Sequence, residues 1–166
     1  MPTLTGSPTT QPPGAVKALQ SALAAEHAAV YGFGVVGAKL DGARRTRARN
    51  AYDAHRSRRD ALERTVRDLG AQPAAAAPAY ALPFSVTDEA AALRLAAVLE
   101  DRVAAVYADV VRETRGHLRE EAARALREAA VRAVGWRGRG VAFPGLPERA
   151  LGTSTEASPS ASPGEL

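Results

Sequence analysis

The chain has 166 residues, of which 46% are hydrophobic and 24% are charged, a composition typical of one globular domain. It contains no cysteine, which excludes disulfides, thiolate metal sites and cysteine nucleophiles, and no apolar run long enough to cross a bilayer. The net charge of +4 is too small to indicate a polyanionic partner by itself, and the first residues lack the basic start and apolar core of a secretory signal. We therefore expect a cytoplasmic protein that makes no membrane contact.

Proline and glycine predict where the helices lie. Two long stretches contain no proline, and each has a glycine near its middle. Because proline breaks helix interiors and glycine favours helix ends, these stretches predict four helices. We place them roughly at 15–40, 44–69, 87–115 and 118–135. Thr87 is the predicted N-cap of the third helix, and Gly70 and Gly135 are predicted to end the second and the fourth.

The connections predict how the helices are arranged. Short links join the first helix to the second and the third to the fourth, which predicts two antiparallel hairpins. The link at 70–86 is longer and contains prolines, so it can run the length of a helix between the hairpins. We therefore predict an all-α four-helix bundle made of two hairpins joined by one long crossover.

The ends of the chain differ in composition from the bundle. Residues 1–13 and 150–166 are rich in Ser, Thr, Pro and Gly and have little apolar mass, so we predict disordered tails. The bundle domain is predicted over 14–149, and its last part is expected to form a strap across the bundle end through Trp136, Phe143 and Leu146.

Two glutamates stand where the helical pattern requires apolar residues. Glu26 in the first helix and Glu100 in the third have only apolar residues three, four and seven positions away. Burying an ionised carboxylate without a partner is costly, or raises its pKa, so both side chains need partners inside the bundle. They lie at matching distances from their helix starts, which predicts similar heights on opposite hairpins.

The second helix can supply these partners. Its inner face is predicted to carry Tyr52, His55 and Arg59, and His55 follows Glu26 at a spacing that brings both to a similar depth in a hairpin. The sequence therefore predicts a buried polar cluster of Glu26, His55 and Glu100, with Tyr52 and Arg59 as neighbours.

With these positions identified, the chain resembles the ferritin-like proteins, and more narrowly a small bacterial family of ferritin-like domains of uncharacterised function. The resemblance implies a ferritin-like four-helix bundle. It is carried by the stretches ALQSALAAEHAAVYGFGVVGAKL (18–40), AYDAHRSRRDALERTVRDLGAQP (51–73), AYALPFSVTDEAAALRLAAVLEDRVAAVYADVV (79–111) and ALREAAVRAVGW (125–136).

The resemblance also implies a place for metal. In the metal-binding ferritin-like proteins, a glutamate from helix one and one from helix three meet Glu-x-x-His motifs on helices two and four. Glu26, Glu100 and His55 match three of these positions, whereas Tyr52 replaces the helix-two glutamate and the fourth helix contains no histidine. The implied centre is degenerate, with no catalytic residue assigned, and would hold at most a single Fe, Mn or Zn ion.

Three interpretations of the cluster follow. In the first, no metal is bound: Arg59 and His55 neutralise the glutamates and Tyr52 donates a hydrogen bond. In the second, one ion binds Glu26, His55 and Glu100. In the third, a full two-metal centre supports a metal-dependent oxidoreductase. The missing ligands favour the metal-free cluster and a protein that is not an enzyme.

Two other functions are compatible with the sequence. Small residues at Gly32, Gly34 and Gly37 would let helices approach closely, within the bundle or between two copies, which is typical of a scaffold that forms a homodimer. The segment 43–69 carries nine arginines against four acids, and such a stripe can meet nucleic-acid phosphates. Because the acids are interleaved with the arginines, we interpret the stripe as a solvated face. No motif for a small-molecule substrate is present.

Overall fold

The computed structural model describes residues 10–138 of the chain. The predicted C-terminal tail, most of the N-terminal tail and the part of the strap that contains Phe143 and Leu146 lie outside the described residues. Within 10–138 the chain forms four helices and no strand, which confirms the predicted all-α class. The helices are Ala15–Ala38 (α1), Gly42–Asp68 (α2), Glu89–Glu113 (α3) and His117–Arg137 (α4).

Two helix ends differ from their predicted positions. Asp88, and not Thr87, is the N-cap of α3, because its carboxylate accepts a hydrogen bond from the backbone N–H of Ala91. α4 continues through Gly135 and ends at Gly138, whose φ of 77° lies in the left-handed region that only glycine adopts at low cost. The prediction that the fourth helix ends at Gly135 is therefore wrong.

The two hairpins pack through one close helix pair. α1 packs against α2 within its hairpin and against α3 across the bundle, and α3 packs against α4. The backbones of α2 and α4 do not come into comparable contact. In this bundle the α1–α3 pair therefore holds the two halves together, and side chains bridge the gap between α2 and α4.

The long connection between α2 and α3 runs back along α1, as its length predicts. The side-chain amide of Gln20 holds its first part, donating from Nε2 to the carbonyl of Gln72 at 2.6 Å and accepting from the N–H of Ala74 at 2.9 Å. Further along, Tyr80 packs against Tyr31 of α1 with ring centroids 5.7 Å apart.

The apolar core forms two clusters along the bundle. We define the first as the lower cluster and the second as the upper cluster. The larger members of the lower cluster are Leu19, Leu23, Leu62, Val66, Val103, Tyr107 and Val110. Those of the upper cluster are Phe33, Val36, Leu40, Leu95, Leu99 and Trp136. On α2 and α3 the predicted polar residue falls at the boundary between the two clusters, and on α1 Glu26 lies in the upper part of the lower cluster.

The predicted close approach of helices occurs at Gly32. A Cβ at this position would lie 2.5 Å from Cδ1 of Leu99, so any larger residue at position 32 would force the Leu99 side chain to shift. Gly34 and Gly37 have open space at the Cβ position, with nothing within 4 Å. No helix in residues 10–138 combines the length and the apolar character needed to cross a membrane.

Candidate functional site

The three side chains predicted to meet lie together at the centre of the bundle. Glu26 of α1, His55 of α2 and Glu100 of α3 are completely shielded from solvent. The imidazole of His55 lies between the two carboxylates, with Nδ1 at 2.6 Å from Oε2 of Glu26 and Nε2 at 3.4 Å from Oε1 of Glu100. We call this group, with the two further residues described below, the polar cluster.

The surroundings of His55 favour its charged form. Burial lowers the pKa of His55, but the hydrogen bonds and negative charges of Glu100 and Glu26 outweigh burial, so that the pKa is raised above its ordinary value of 6.5. A protonated imidazole donates from both nitrogens, and each nitrogen here has a carboxylate to receive the proton. The raised pKa and the two hydrogen bonds both favour the form in which His55 is a cation between the two carboxylates.

A second cation, which sequence reasoning missed, comes from α4. Nε of Arg132 donates to Oε1 of Glu100 at 2.6 Å. Ala129, three residues earlier, is fully buried. Arg132 thus brings a guanidinium to Glu100 from the fourth helix.

A second hydrogen-bond donor, also missed, comes from α3. Oη of Tyr107 donates to Oε1 of Glu26 at 2.8 Å. Burial raises the pKa of the Tyr107 hydroxyl well above 10.0, and the negative charge of Glu26 raises it further. Tyr107 therefore stays a neutral donor. Both oxygens of Glu26 are hydrogen-bonded as a result.

Tyr52 and Arg59, the two predicted neighbours, do not contact the glutamates. Arg59 pairs with Asp60, its Nη2 lying 2.6 Å from Oδ1. Tyr52 packs at the edge of the upper cluster, and the guanidinium of Arg56 lies 5.8 Å from its ring centroid. α2 is rotated so that His55 points inward, which leaves positions 52 and 59 on the half-buried flank of the helix. The roles predicted for them belong to Tyr107 and Arg132.

The polar cluster as arranged does not fit a two-metal centre. Because the two nitrogens of His55 face different carboxylates, the three candidate ligands do not converge on one point. Over the described residues, no three His, Asp or Glu side chains form a group that could hold an ion. One feature of the described residues favours a single ion: Oε2 of Glu100 is buried and has no hydrogen-bond partner.

Arginines bridge the gap between α2 and α4. Arg58 of α2 pairs with Glu128 of α4, whose carboxylate also lies 3.8 Å from Arg132. Near the end of the bundle, Arg47 donates to the carbonyl of Gly135 at 3.1 Å and lies 4.2 Å from the ring centroid of Trp136. Five of the nine arginines in the α2 stripe pair with carboxylates: Arg44, Arg45, Arg58, Arg59 and Arg67. This pairing favours the interpretation of the arginine stripe as a solvated face, which stays a prediction.

Comparisons with known proteins give a family and a related structure. Residues 18–148 match the family described as a domain of unknown function (DUF4439). A conserved hypothetical protein from Mycobacterium tuberculosis has a similar crystal structure, with a TM-score of 0.73 and 35% sequence identity. The similarity covers 76% of this chain and 97% of that one. No curated protein matches the chain.

Proposed function

Since this chain belongs to the family described as a domain of unknown function (DUF4439), which specifies no activity, we propose that it is a ferritin-like bundle with a metal-free core. In this proposal the protein is a helical scaffold and not a di-iron enzyme. The polar cluster takes the place of a metal centre in joining the two hairpins.

The charge balance of the polar cluster carries the proposal. Glu26 and Glu100 supply two negative charges, and His55 and Arg132 supply two positive charges within hydrogen-bonding reach. A buried set of ions is tolerated when each charge has a partner of opposite sign and good geometry. A divalent cation would add charge to a group that is already neutral, and would compete with both existing cations for the same carboxylates.

Elemental analysis of the untagged full-length protein tests the proposal. We expect iron, manganese and zinc all to be far below one ion per chain. We also expect no rise in the thermal midpoint when each metal is added, because a ligand stabilises a protein only by binding its folded state. The Arg132→Met variant should unfold at lower temperature. Arg124→Met, which removes an exposed arginine from the same helix, should change little.

A single bound ion is the second candidate, and the unpaired Oε2 of Glu100 favours it. If the second candidate is correct, one ion of iron, manganese or zinc is held by Glu26, His55 and Glu100. Stoichiometric metal in the purified protein, lost in both Glu26→Ala and His55→Ala, would establish this site and refute the metal-free core. Variants that contain no metal and unfold more easily than the parent would support the metal-free core.

A scaffold needs a surface for its partner, and α4 offers one in the described chain. Val131 and Val134 are 66% and 38% exposed and lie beside Ala123, Leu126 and Ala130 on its outer face. Together these side chains form an apolar stripe along one face of α4. We propose a second copy of this chain as the partner, since Arg127 lies within the stripe and Glu120 lies near its N-terminal end, which gives two copies opposite charges to pair.

Light scattering after size-exclusion chromatography tests the homodimer. We expect a dimer for the parent and a monomer for Val131→Lys. Leu69→Lys, which changes an exposed apolar side chain at the end of α2, should leave the dimer intact. A monomeric parent at high protein concentration would contradict the homodimer without affecting the metal-free core.

A further inference from the structure

A cavity of about 220 Å³ lies in the gap between α2 and α4, beside the polar cluster. All four helices contribute to its wall, which is mainly apolar. The space opens to solvent on one side and reaches between core side chains on the other. The apolar part of its wall is formed by Leu19, Leu62, Val110, Leu118 and Ala122.

The cavity exists because α2 and α4 are held apart here. Arg58 and Glu128 meet across the gap through long side chains, so the helices cannot close on each other at this level. Leu19, Leu62 and Val110 belong to the lower cluster, yet they also line the cavity. A molecule inside it would therefore contact side chains that are otherwise part of the core.

Two charged side chains, Arg58 and Glu121, lie in the wall of this mainly apolar space, and of the two Arg58 is the cation. The side chain of Arg58 is only 19% exposed, and its guanidinium lies 5.9 Å from the ring centroid of Tyr107. Glu128 takes one of its terminal nitrogens, but a guanidinium has five N–H donors in a fork that suits a carboxylate. The Tyr107 hydroxyl already donates to Glu26, and His117 is exposed at the rim, which leaves Arg58 as the half-buried anion-binding group of the wall.

We propose that this cavity binds a small apolar monocarboxylate, with its hydrocarbon part against the leucines and valine and its carboxylate on Arg58. Pockets that are mostly apolar and have one well-placed polar group are typical of small-molecule sites. An apolar cavity of about 150 Å³ accommodates benzene, so the space here is large enough for a somewhat longer acid.

The rim of the cavity is open to solvent, and a larger side chain at one exposed rim position would block it. Ala61 and His117 are exposed at the rim, so the site opens to solvent. Glu121, also at the rim, pairs with Arg124 and so leaves little net negative charge to repel an entering anion. Replacing Ala61 by leucine would fill the entrance from α2 without altering the buried core.

Calorimetric titration of the full-length protein with octanoate, and with octanamide as the neutral analogue, tests the proposal. We expect one octanoate per chain and about tenfold weaker binding of octanamide, the ratio that corresponds to one charge-assisted contact. Ala61→Leu should abolish octanoate binding, and Arg58→Lys should reduce the preference for octanoate over octanamide. Ala43→Leu, which changes an exposed alanine near the start of α2 that does not line the cavity, should bind as the parent does.

Three results would overturn the proposal: no saturable octanoate binding to the folded parent, equal affinities for octanoate and octanamide, or unchanged binding by Ala61→Leu. Thermal unfolding of each variant shows whether it is folded before titration. Because Ala61 lies at the surface, its variant separates a blocked cavity from a damaged core. The metal content of the protein is measured separately, so this proposal and the metal-free core can fail independently.

Discussion

The two helix pairs that join the hairpins, α1–α3 and α2–α4, pack in opposite ways. We call the α1–α3 contact the tight seam and the α2–α4 contact the bridged seam. α1 and α3 meet through small residues, and the absence of a side chain at Gly32 makes room for Leu99. α2 and α4 are kept apart and are joined by long side chains, with Arg58 paired to Glu128 and Arg47 against Trp136. One seam is closed by packing and the other is bridged by charge.

The difference explains where the charges of the polar cluster come from. The tight seam supplies both carboxylates, Glu26 and Glu100, and the bridged seam supplies both cations, His55 and Arg132. The imidazole and the guanidinium, which come from the two helices that stand apart, reach the carboxylates of the closely packed pair.

Removing the central cation should have the largest effect. His55→Ala leaves two buried carboxylates facing each other, and breaking a buried ion pair in this way costs about 3 to 5 kcal/mol of unfolding free energy. His27→Ala is the matched control, since His27 is also buried but bonds only to the carbonyl of Ala74. Its loss should cost about 1 kcal/mol. Equal losses in urea unfolding of the two variants would show that the polar cluster contributes no more than an ordinary hydrogen bond.

Widening the tight seam should have the next largest effect. Gly32→Val places a side chain against Leu99, and overpacking of this kind costs about 1 to 3 kcal/mol. Gly34→Ala, with open space at its Cβ, should stabilise α1 by up to about 1 kcal/mol through helix propensity. Chemical denaturation of both variants checks the contrast. A neutral Gly32→Val would mean that the α1–α3 pair can separate without loss.

Loosening the bridged seam should cost less. Arg47→Met removes the cation above Trp136 and the hydrogen bond to Gly135, which together contribute about 1 kcal/mol at an exposed site. Arg49→Met, two positions along α2 on an exposed part of the helix, should leave the unfolding midpoint unchanged. If both variants lose the same stability, Arg47 acts through general charge and not through the bridge.

The most gradual effect should be that of pH on the link between the seams. The pKa of His55 is raised in the folded state, so the folded chain holds this proton more tightly than the unfolded chain does. Its contribution to stability is complete below the unfolded value of about 6.5 and is lost as the pH rises through the folded pKa. Urea midpoints measured from slightly acidic to alkaline pH should fall in the parent and in His27→Ala, but change less in His55→Ala. A parent midpoint that rises over this interval would contradict a charged His55.

The sequence predicted the anions of the polar cluster better than its cations. Glu26 and Glu100 were identifiable because an acid among apolar neighbours is rare on a helix. Arg132 carried no such signal, because arginine is the usual polar residue of this chain. Tyr107 matched an ordinary core aromatic, since its hydroxyl partner lies on another helix.

Rotation of a helix about its axis limited the other site predictions. Tyr52, His55 and Arg59 all fall near one face of α2, and a small rotation decides which of them points at the glutamates. Packing against the rest of the bundle sets the rotation of α2, and the residue spacing within one helix does not determine it. The proline-free stretches correctly predicted the four helices of residues 10–138, because proline acts on the helix through local sterics and a lost hydrogen bond.

The amide of Gln20 has a consequence for how two chains of this kind could intertwine. It hydrogen-bonds the crossover at two points, Gln72 and Ala74. If two molecules exchanged a hairpin, the crossover would have to move away from α1, and both hydrogen bonds would have to break. Gln20 therefore stabilises the unswapped arrangement, in which both hairpins of a bundle come from the same chain.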